Sequence, residues 1–256
     1  MSNISYRPLI EDMTWSFSRV NCFAQCRYQW FLKYIRGVKD TPLFYSSYGS
    51  FVHSILEKFY KGELRREELP VYYLTKYREC VVGERPKEPV PTNYFKSGLA
   101  YFKTFRPLTC EILEVEKKIA FRIGEIEFVG IIDIVGRDED GKICIVDHKS
   151  RALKPRSSRS SLNNKALDEI FRQLYLYSAA IKAGYGEFPS TLCINSFRTG
   201  NFIEETFSEQ AYEQSVEWVL GKIEEIKNEE DFNPCPEYCK CLWLCGVREK
   251  CMAEIN

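Results

Sequence analysis

The chain has 256 residues, which is enough for one sizeable α/β domain or for one core with an appended module. Hydrophobic residues make up 45% and aromatic residues 14% of it, which argues against general disorder. The formal net charge is zero, so any contact with nucleic acid must come from local basic patches. No apolar run is long enough for a membrane span and the N-terminus lacks a signal-peptide pattern, so we expect a soluble, cytoplasmic protein without a membrane partner.

The cysteines are unevenly distributed along the chain. There are eleven, an odd number in a chain without a secretion signal, which argues against a disulfide framework. The last segment holds a group of five, whose crowding indicates a bound metal or cluster: Cys235, Cys239, Cys241, Cys245 and Cys251.

Two helices are predicted near the N-terminus. Ser16 offers an N-cap to the first, whose apolar period continues to Gly37. Cys22 and Cys26 lie four residues apart on it and so would share a face. Ordinary helix packing would explain both cysteines if they stood alone.

The second helix extends from about Ser46 to Lys61 and carries His53, one of only two histidines. A lone helical histidine is more often a core or surface residue, so a metal-ligand role needs support from elsewhere in the chain. The charged, proline-containing segment that follows, residues 62–106, is predicted to be a helical insertion, with a helix from about Thr92 to Phe105.

A β-hairpin is predicted over residues 130–150. Strand patterns lead from Glu111 through a turn at Gly124, and residues 130–150 form two apolar runs around an Asp/Gly-rich turn. Asp133 interrupts the first run, and Asp147-His148-Lys149 ends the second. Carboxylates in such places are costly unless they are paired or bound to a metal. Two acids for a hard cation and a lysine for developing negative charge suit phosphodiester cleavage, although a surface hairpin with solvated ends is the alternative.

The next segment, residues 151–165, has no acidic residue and is predicted to be a flexible loop. It is either solvated or in contact with a phosphate backbone, in which case the DNA-binding residues would be Arg151, Lys154, Arg156, Arg159 and Lys165. A helix over residues 166–183, ended by Gly184, places Gln173 and Tyr177 one turn apart. Strands over 191–197 and 202–207 and a helix over 208–228 lead to the cysteine-rich tail.

Taken together, these features resemble the RecB-like branch of the PD-(D/E)XK nuclease superfamily. The most similar members carry an iron–sulfur cluster: the AddB nuclease domain and the CRISPR-associated and phage RecB-like exonucleases. The resemblance covers roughly residues 16–251 and is weakest after residue 61. It depends on the N-terminal cysteine, Gly49-Ser50-Phe51-Val52-His53, Gly130-Ile131-Ile132-Asp133, Asp147-His148-Lys149, Gln173-Leu174-Tyr175-Leu176-Tyr177 and the C-terminal cysteines.

The resemblance implies an α/β fold with a restriction-endonuclease-like core, in which helices flank a mixed central β-sheet. One nuclease domain would then occupy residues 1–256. Its expected parts are N-terminal helices at 16–61, a helical insertion at 62–106, a nuclease core at 111–207, and a C-terminal helix with a cluster tail at 208–256.

The resemblance also implies roles for single residues. His53, Asp133, Asp147 and the backbone carbonyl of His148 would bind Mg²⁺ or Mn²⁺, and Lys149 would orient the attacking water and stabilise negative charge. Glu116, or with less support Glu114, matches the acidic residue of the first core strand. Gln173 and Tyr177 match the helical motif that positions the DNA strand and the active site.

A cysteine cluster is implied as well. Relatives combine one N-terminal cysteine with a C-x2-C-x5-C tail; Cys245 and Cys251 fit its second half, but Leu242 stands where the first tail cysteine is expected. The expected ligands are Cys26, Cys241, Cys245 and Cys251, with Cys239 as the substitute for Cys241 and Cys22 as a weaker one for Cys26. Four thiolates also suit structural zinc, and the resemblance favours a 4Fe–4S cluster.

The expected function is therefore a metal-dependent DNA exonuclease acting on single strands or DNA ends. Its setting would be recombination and repair, phage DNA processing or CRISPR adaptation. Because the chain has no Walker A motif, a helicase would be a separate partner, as would a recombination or CRISPR adaptation protein. The alternative is a non-catalytic DNA-binding or interaction module of the same fold whose cysteines bind zinc.

Overall fold

The described residues contain one five-stranded sheet in the order β1-β2-β3-β4-β5. This computed structural model describes residues 6–159, 161–235 and 238–255, with the backbone alone at 238–239 and 253–255. Neighbouring strands are antiparallel except β3 and β4, which are parallel. The strands are β1 Glu111–Ile123, β2 Ile126–Arg137, β3 Ile143–Lys149, β4 Thr191–Ser196 and β5 Asn201–Thr206.

Helices surround this sheet. They are α1 Arg7–Glu11, α2 Phe17–Gln25, α3 Arg27–Tyr34, α4 Phe44–Tyr60, α5 Leu69–Cys80, α6 Val90–Lys103, α7 Leu162–Tyr185, α8 Glu209–Lys227, α9 Tyr238–Leu244 and α10 Arg248–Ile255. A 3-10 turn, Arg66–Glu68, precedes α5. Serine side chains cap α2, α7 and α8, and the predicted cap at Ser16 is confirmed. Within the described residues, no helix has both the length and the apolar character needed to cross a membrane.

The two faces of the sheet carry different layers. Apolar side chains of α2, α7 and α8 pack on one face together with Val135, Ile145 and Ile194. The other face carries a small cluster around Ile134 and Val146, next to the helices α4, α5 and α6. Because helices cover both of its faces, β3 is buried almost continuously, as expected for a strand with a parallel partner. The mixed α/β fold expected from the sequence is confirmed.

The segment predicted as a helical insertion shares a core with α4. Tyr73 of α5 and Phe102 of α6 are fully buried beside Tyr48 and Phe51 of α4. Ring contacts such as Phe51–Tyr73, with centroids 5.5 Å apart, join these helices. This aromatic core therefore fixes the position of α4, and with it the position of His53.

The prediction of one N-terminal helix is wrong. The chain breaks at Cys26, whose backbone is extended (φ −160°, ψ 112°), and α3 then begins with the Cys26 Sγ accepting a hydrogen bond from the Gln29 N–H at 3.4 Å. Cys22 and Cys26 consequently do not share one helical face. The apolar period hides the break because Phe23 and Trp30, on either side of it, enter the same core.

The predicted end of α7 is also wrong, because the helix ends two residues later than expected, at Gly186 instead of Gly184. The helix continues through Gly184 to Tyr185, and Gly186 ends it with a left-handed backbone (φ 82°). A glycine with positive φ is the usual way to end a helix, whereas Gly184 has an ordinary helical place.

Candidate active site

Strands β2 and β3 separate at Asp133. The last ladder pair joins Ile134 to Val146. Beyond it, Asp133 Oδ2 accepts a hydrogen bond from the backbone N–H of His148 at 2.7 Å, and so replaces the missing ladder bond. The aspartate in the apolar strand is thus satisfied by β3 itself, at the point where a gap opens between the strands.

Glu116 lies on β1 opposite this point and has a left-handed backbone (φ 52°), unique among the non-glycine residues that the structure describes. Glu114 and Lys117 both reach Tyr185 of α7: its hydroxyl donates to Glu114 Oε1 at 2.5 Å, and the Lys117 ammonium lies 5.2 Å from its ring centroid. Residues three apart point to opposite faces of a regular strand. The alternation of side chains between the two faces is therefore reversed at Glu116. This backbone costs roughly 1–3 kcal/mol and is typical of functional sites.

His53, Glu116 and Asp133 form the candidate metal group. Each offers a ligand atom, and these atoms lie within 4.8 Å of one another. His53 Nδ1 is 3.5 Å from Asp133 Oδ2. Two carboxylates suit Mg²⁺ or Mn²⁺ and one imidazole suits Mn²⁺, so the donor set fits the expected ions. Glu116, whose sequence-based role was uncertain, is therefore placed among the candidate ligands.

Asp147 lies beside this group but is not a member of it. It is buried, and Lys149 Nζ lies 2.8 Å from its Oδ1 and 2.6 Å from its Oδ2. The approach to Oδ2 has the distance of an ion pair but not the angle of a hydrogen bond, so this buried oxygen has no hydrogen-bond partner in the described part of the chain. Burial raises the pKa of Asp147, Lys149 opposes that rise, and Asp133 adds to it. A cation beside Oδ2 would satisfy this oxygen.

Lys149 remains cationic in this setting. Burial acts to lower the pKa of Lys149, but the charges of Asp147 and Asp133 outweigh it and the net shift is upward. About a quarter of the side chain, 26%, is exposed, so the ammonium group can meet a substrate. The residues predicted as a carboxylate pair with a lysine are therefore adjacent.

Gln173 and Tyr177 form the side of the site that belongs to α7. The Gln173 Nε2 donates to the Tyr177 hydroxyl at 3.0 Å, and Tyr177 is close enough to Lys149 to affect its pKa. Tyr177 lies flat against β2 at Gly130, where an added Cβ would be 2.7 Å from two atoms of the ring. Because Gly130 has no side chain, the ring of Tyr177 can pack directly against the backbone of β2.

His148 turns its side chain to the other face of the sheet. Its Nδ1 lies 3.0 Å from the Asn195 Nδ2, and its ring stacks on Tyr60 with centroids 6.1 Å apart. Its buried Nε2 has no hydrogen-bond partner among the described side chains and backbone. Burial lowers the pKa of His148 to about 3, so the imidazole is neutral and cannot act as an acid at physiological pH. Its main chain contributes by supporting Asp133. The role of its carbonyl oxygen as a ligand stays a prediction.

Glu57 of α4 and Lys61, the residue that caps its C-terminus, were not among the predicted site residues but act on Glu116. The pKa of Glu116 is raised to about 7, chiefly by burial, then by Asp133 and Glu57, while Lys61 opposes the rise. Lys61 Nζ and Glu57 Oε1 are 2.5 Å apart. The signal that could have found them is helical spacing, because positions four and eight residues after His53 lie on the same face of a helix.

The basic loop after β3, which was predicted to be flexible, is fixed by several hydrogen bonds to neighbouring elements. Buried Leu153 is hydrogen-bonded to the β4–β5 turn, and the side chains of Asn163 and Asn164 bond to the loop backbone. The five predicted DNA-binding residues are all exposed. Arg156 is nevertheless ion-paired with Asp168 at 2.5 Å and Glu205 at 2.9 Å, so its charge is already compensated.

A cavity of about 1160 Å³ lies elsewhere, against the face of the sheet opposite α7. Cys110, Cys144 and Cys193 line it, together with Glu204. None of the candidate metal ligands is among its lining residues. The catalytic candidates instead occupy the opening between β2 and β3.

The cysteine corner, formed by Cys22, Cys26, Cys241, Cys245 and Cys251, brings the two ends of the chain together. Buried Cys245 and Val247 pack with Leu32 of α3, and Cys251 lies against them. The Thr41 N–H donates to the Gly246 carbonyl at 2.8 Å.

The thiols of this corner are close enough to interact. Cys26 and Cys241 both act on the pKa of Cys245, which burial raises. Burial also raises the pKa of Cys22 to about 12; Lys33 opposes that rise, and Cys26 and Cys245 add to it. Among the described cysteines, no three sulfurs lie within 4.8 Å of one another. The Cys239 side chain lies outside the described residues.

The fold and the site have the features of a nuclease, and the comparisons with known proteins agree. A sequence model of the PD-(D/E)XK nuclease superfamily matches residues 14–252. The chain therefore belongs to the PD-(D/E)XK nuclease superfamily. No curated protein matches it significantly.

Solved structures show the same fold. One is a protein from Eubacterium rectale named as a "Putative exonuclease", which is 14% identical to this chain. The match covers 97% of this chain and 91% of that one, with a TM-score of 0.50. At this identity the likeness concerns the fold alone.

Proposed function

We propose that this protein is a metal-dependent DNA exonuclease of the RecB-like branch, acting on single-stranded DNA or DNA ends. The observation that carries the proposal is the group of His53, Glu116 and Asp133, whose ligand atoms lie within 4.8 Å of one another. A buried carboxylate and a lysine, Asp147 and Lys149, are paired beside it. A DNA-binding module would not need this costly combination of charges.

The side chains can divide the work of hydrolysis between them. His53, Glu116 and Asp133 would hold Mg²⁺ or Mn²⁺, with Asp147 next to them. A cation held there supplies Lewis-acid polarisation of the scissile phosphate and a water of lowered pKa. Lys149 keeps its proton and can hydrogen-bond to the attacking water or to a phosphate oxygen as negative charge grows.

The α7 residues would position the substrate. The hydrogen bond from Gln173 leaves the Tyr177 hydroxyl its own proton to donate, and burial keeps that proton in place by raising the pKa of Tyr177. The tyrosine can therefore donate to a phosphate oxygen on the α7 side of the opening.

For the cysteine corner we propose a structural 4Fe–4S cluster bound by Cys26, Cys241, Cys245 and Cys251, with Cys239 as the substitute. Support comes from their gathering at one place and from the family resemblance. A single zinc ion with bonds of about 2.3 Å would need sulfurs closer than 4 Å, whereas a larger cluster accepts a wider set. Its role would be to tie the C-terminal helices to α3.

The test of activity uses single-stranded and duplex DNA with a label at one end, in Mg²⁺ or Mn²⁺. We expect stepwise loss of nucleotides, prevented when the correct end is blocked, and no activity for Lys149→Ala. Lys142→Ala, a lysine-to-alanine change at an exposed position of the hairpin turn, serves as the control. Equal activity of Lys149→Ala and wild type would contradict the proposal.

The test of the cluster is chemical analysis after anaerobic purification. We expect brown protein that contains iron and acid-labile sulfide. Stoichiometric zinc without iron would support the alternative zinc-binding module instead. A separate helicase, recombination protein or CRISPR adaptation protein is the kind of partner that we propose for the working enzyme.

A further inference from the structure

Arg198 lies two residues after the end of β4, in an unusual environment. Its Cζ is 3.7 Å from the centroid of the Tyr94 ring, so the guanidinium lies over the aromatic face. Its Nε is buried, and none of the residues that the structure describes forms a hydrogen bond with it. Among the described residues no carboxylate forms an ion pair with it. A partly buried cation without a counter-charge is costly, and this one has room for an anionic partner.

Arg151 is a second cation at this place that forms no ion pair with any of the described residues. It follows Lys149 by two residues and is exposed. Its carbonyl accepts a hydrogen bond from the Ser196 Oγ at 2.8 Å, which ties it to the end of β4 close to Arg198. Burial raises the pKa of Tyr94, and the charges of Arg198 and Arg151 both act against that rise, so both arginines lie within electrostatic range of one tyrosine.

Two contacts of neighbouring residues connect the arginine pair to the candidate metal group. Phe197, the residue before Arg198, packs against His53 with ring centroids 6.3 Å apart. At the other side, a Cβ on Gly49 of α4 would be 3.2 Å from the Ser150 Oγ, so α4 passes directly over the end of β3. Tyr45, which contacts Tyr94, precedes His53 by eight helical residues, or about 12 Å.

We infer that Arg198 and Arg151 form a phosphate-binding site for the DNA strand, a few nucleotides or fewer from the scissile bond, with Tyr94 holding the guanidinium of Arg198. The inference deepens the proposed function and rests on it. Guanidinium groups bind phosphate oxygens through paired hydrogen bonds, and stacking on an aromatic ring fixes their plane in advance. Arg156, in contrast, already has two carboxylate partners.

Binding of a labelled single-stranded oligodeoxythymidine in the presence of a chelator, which prevents cleavage, tests the site directly. We expect Arg198→Ala to weaken binding about tenfold and to reduce the salt dependence of log K by about 0.7 per lost phosphate contact. Arg198→Lys keeps the charge but not the planar group, so its affinity should fall between the two. Arg66→Ala, an exposed arginine outside the site, should bind as the wild type does.

A series of oligonucleotides with one neutral methylphosphonate linkage each locates the contact. Wild-type protein should lose affinity at one particular linkage, and Arg198→Ala should lose nothing further there, because its partner is already absent. Equal losses for both proteins at every linkage would overturn the inference. So would displacement of the strand by low concentrations of inorganic phosphate, which would indicate a site for the free anion. Arg198→Gln repeats the test if Arg198→Ala melts at a lower temperature.

The outcome also separates this inference from the proposed activity. A protein that shows the Arg198-dependent linkage but never cleaves DNA has the phosphate site without the exonuclease function. A protein that cleaves DNA in a Lys149-dependent way, yet shows no special linkage, has the function without this site.

Discussion

The molecule has two candidate ligand sites, the opening between β2 and β3 and the cysteine corner. They differ in how firmly the backbone positions the side chains. In the opening, the backbone itself sets the side chains: a main-chain N–H holds Asp133 and a left-handed residue aims Glu116. In the corner, Cys26 and Cys245 come from distant parts of the chain, and the described sulfurs form no tight group. A sheet can assemble a hard-cation site before an ion arrives, whereas the corner would depend on the proposed cluster to close a long loop.

The largest expected effect is on the opening. Asp133→Asn keeps an oxygen that can accept from the His148 N–H but removes the negative charge. We therefore expect cleavage to fall by about a thousandfold or more while the melting temperature changes little. End-labelled DNA assays and thermal unfolding measure the two effects.

Asp140→Asn is the matched control, since it makes the same change at an exposed position of the hairpin turn. Its cleavage rate should equal that of the wild type. If Asp133→Asn instead unfolded while retaining activity per folded molecule, the opening would be a structural feature and the contrast with the corner would fail.

The next effect concerns the corner. Cys251→Ser should lose iron and destabilise the fold by about 3 kcal/mol, or roughly 6–12 °C in melting temperature, because the tail is no longer tied to α3. Cleavage by the remaining folded molecules should change much less. Cys80→Ser, at an exposed cysteine, should alter neither iron content nor stability. A fully stable Cys251→Ser protein that kept its metal would show that the corner is as preformed as the opening.

The pH dependence of metal binding sharpens the comparison further. Because the pKa of Glu116 in the metal-free protein is about 7 rather than 4.5, the cation must displace a proton below pH 7. Affinity for Mn²⁺ should thus rise up to about tenfold per pH unit below pH 7 and level off above it. The same shift means that the metal-free fold loses stability as the pH rises from 4.5 to about 7, since the folded chain binds this proton more tightly than the unfolded chain does.

Titration of Mn²⁺ at several pH values measures the effect. Glu116→Gln should lose this part of the dependence. An identical pH profile for both proteins would remove Glu116 from the ligand group.

The smallest effect is expected at Gly130. Gly130→Ala places a methyl group against the Tyr177 ring and should cost about 1–3 kcal/mol in unfolding free energy. Gly184→Ala makes the same change in α7 where nothing lies within 4 Å, and there it should stabilise the protein by about 0.5–1 kcal/mol. Denaturant unfolding compares the two. Equal effects of the two substitutions would mean that Tyr177 is not held against β2.

Much of the fold followed from local patterns in the sequence. The hairpin was predictable because β-branched runs and Asp/Gly turn residues act over short distances, and α7 was predictable from its period. The ion pairs of Arg156 could not be predicted because its partners Asp168 and Glu205 are brought near only by tertiary packing. The left-handed backbone of Glu116 left no signal, since no glycine marks it.

The reversal at Glu116 also has an evolutionary consequence. Both strands show the reversal of side-chain direction. On β2, Ile132 and Val135 enter one core although they are three positions apart. On β1, Glu114 and Lys117 are also three positions apart and both contact Tyr185 of α7. Deleting Glu116 and Asp133 would therefore restore regular alternation and leave each apolar side chain facing its present neighbour. Descendants could lose this pair of candidate ligands through two single-codon deletions and keep the sheet, so copies of this fold without the candidate metal group are within short mutational reach.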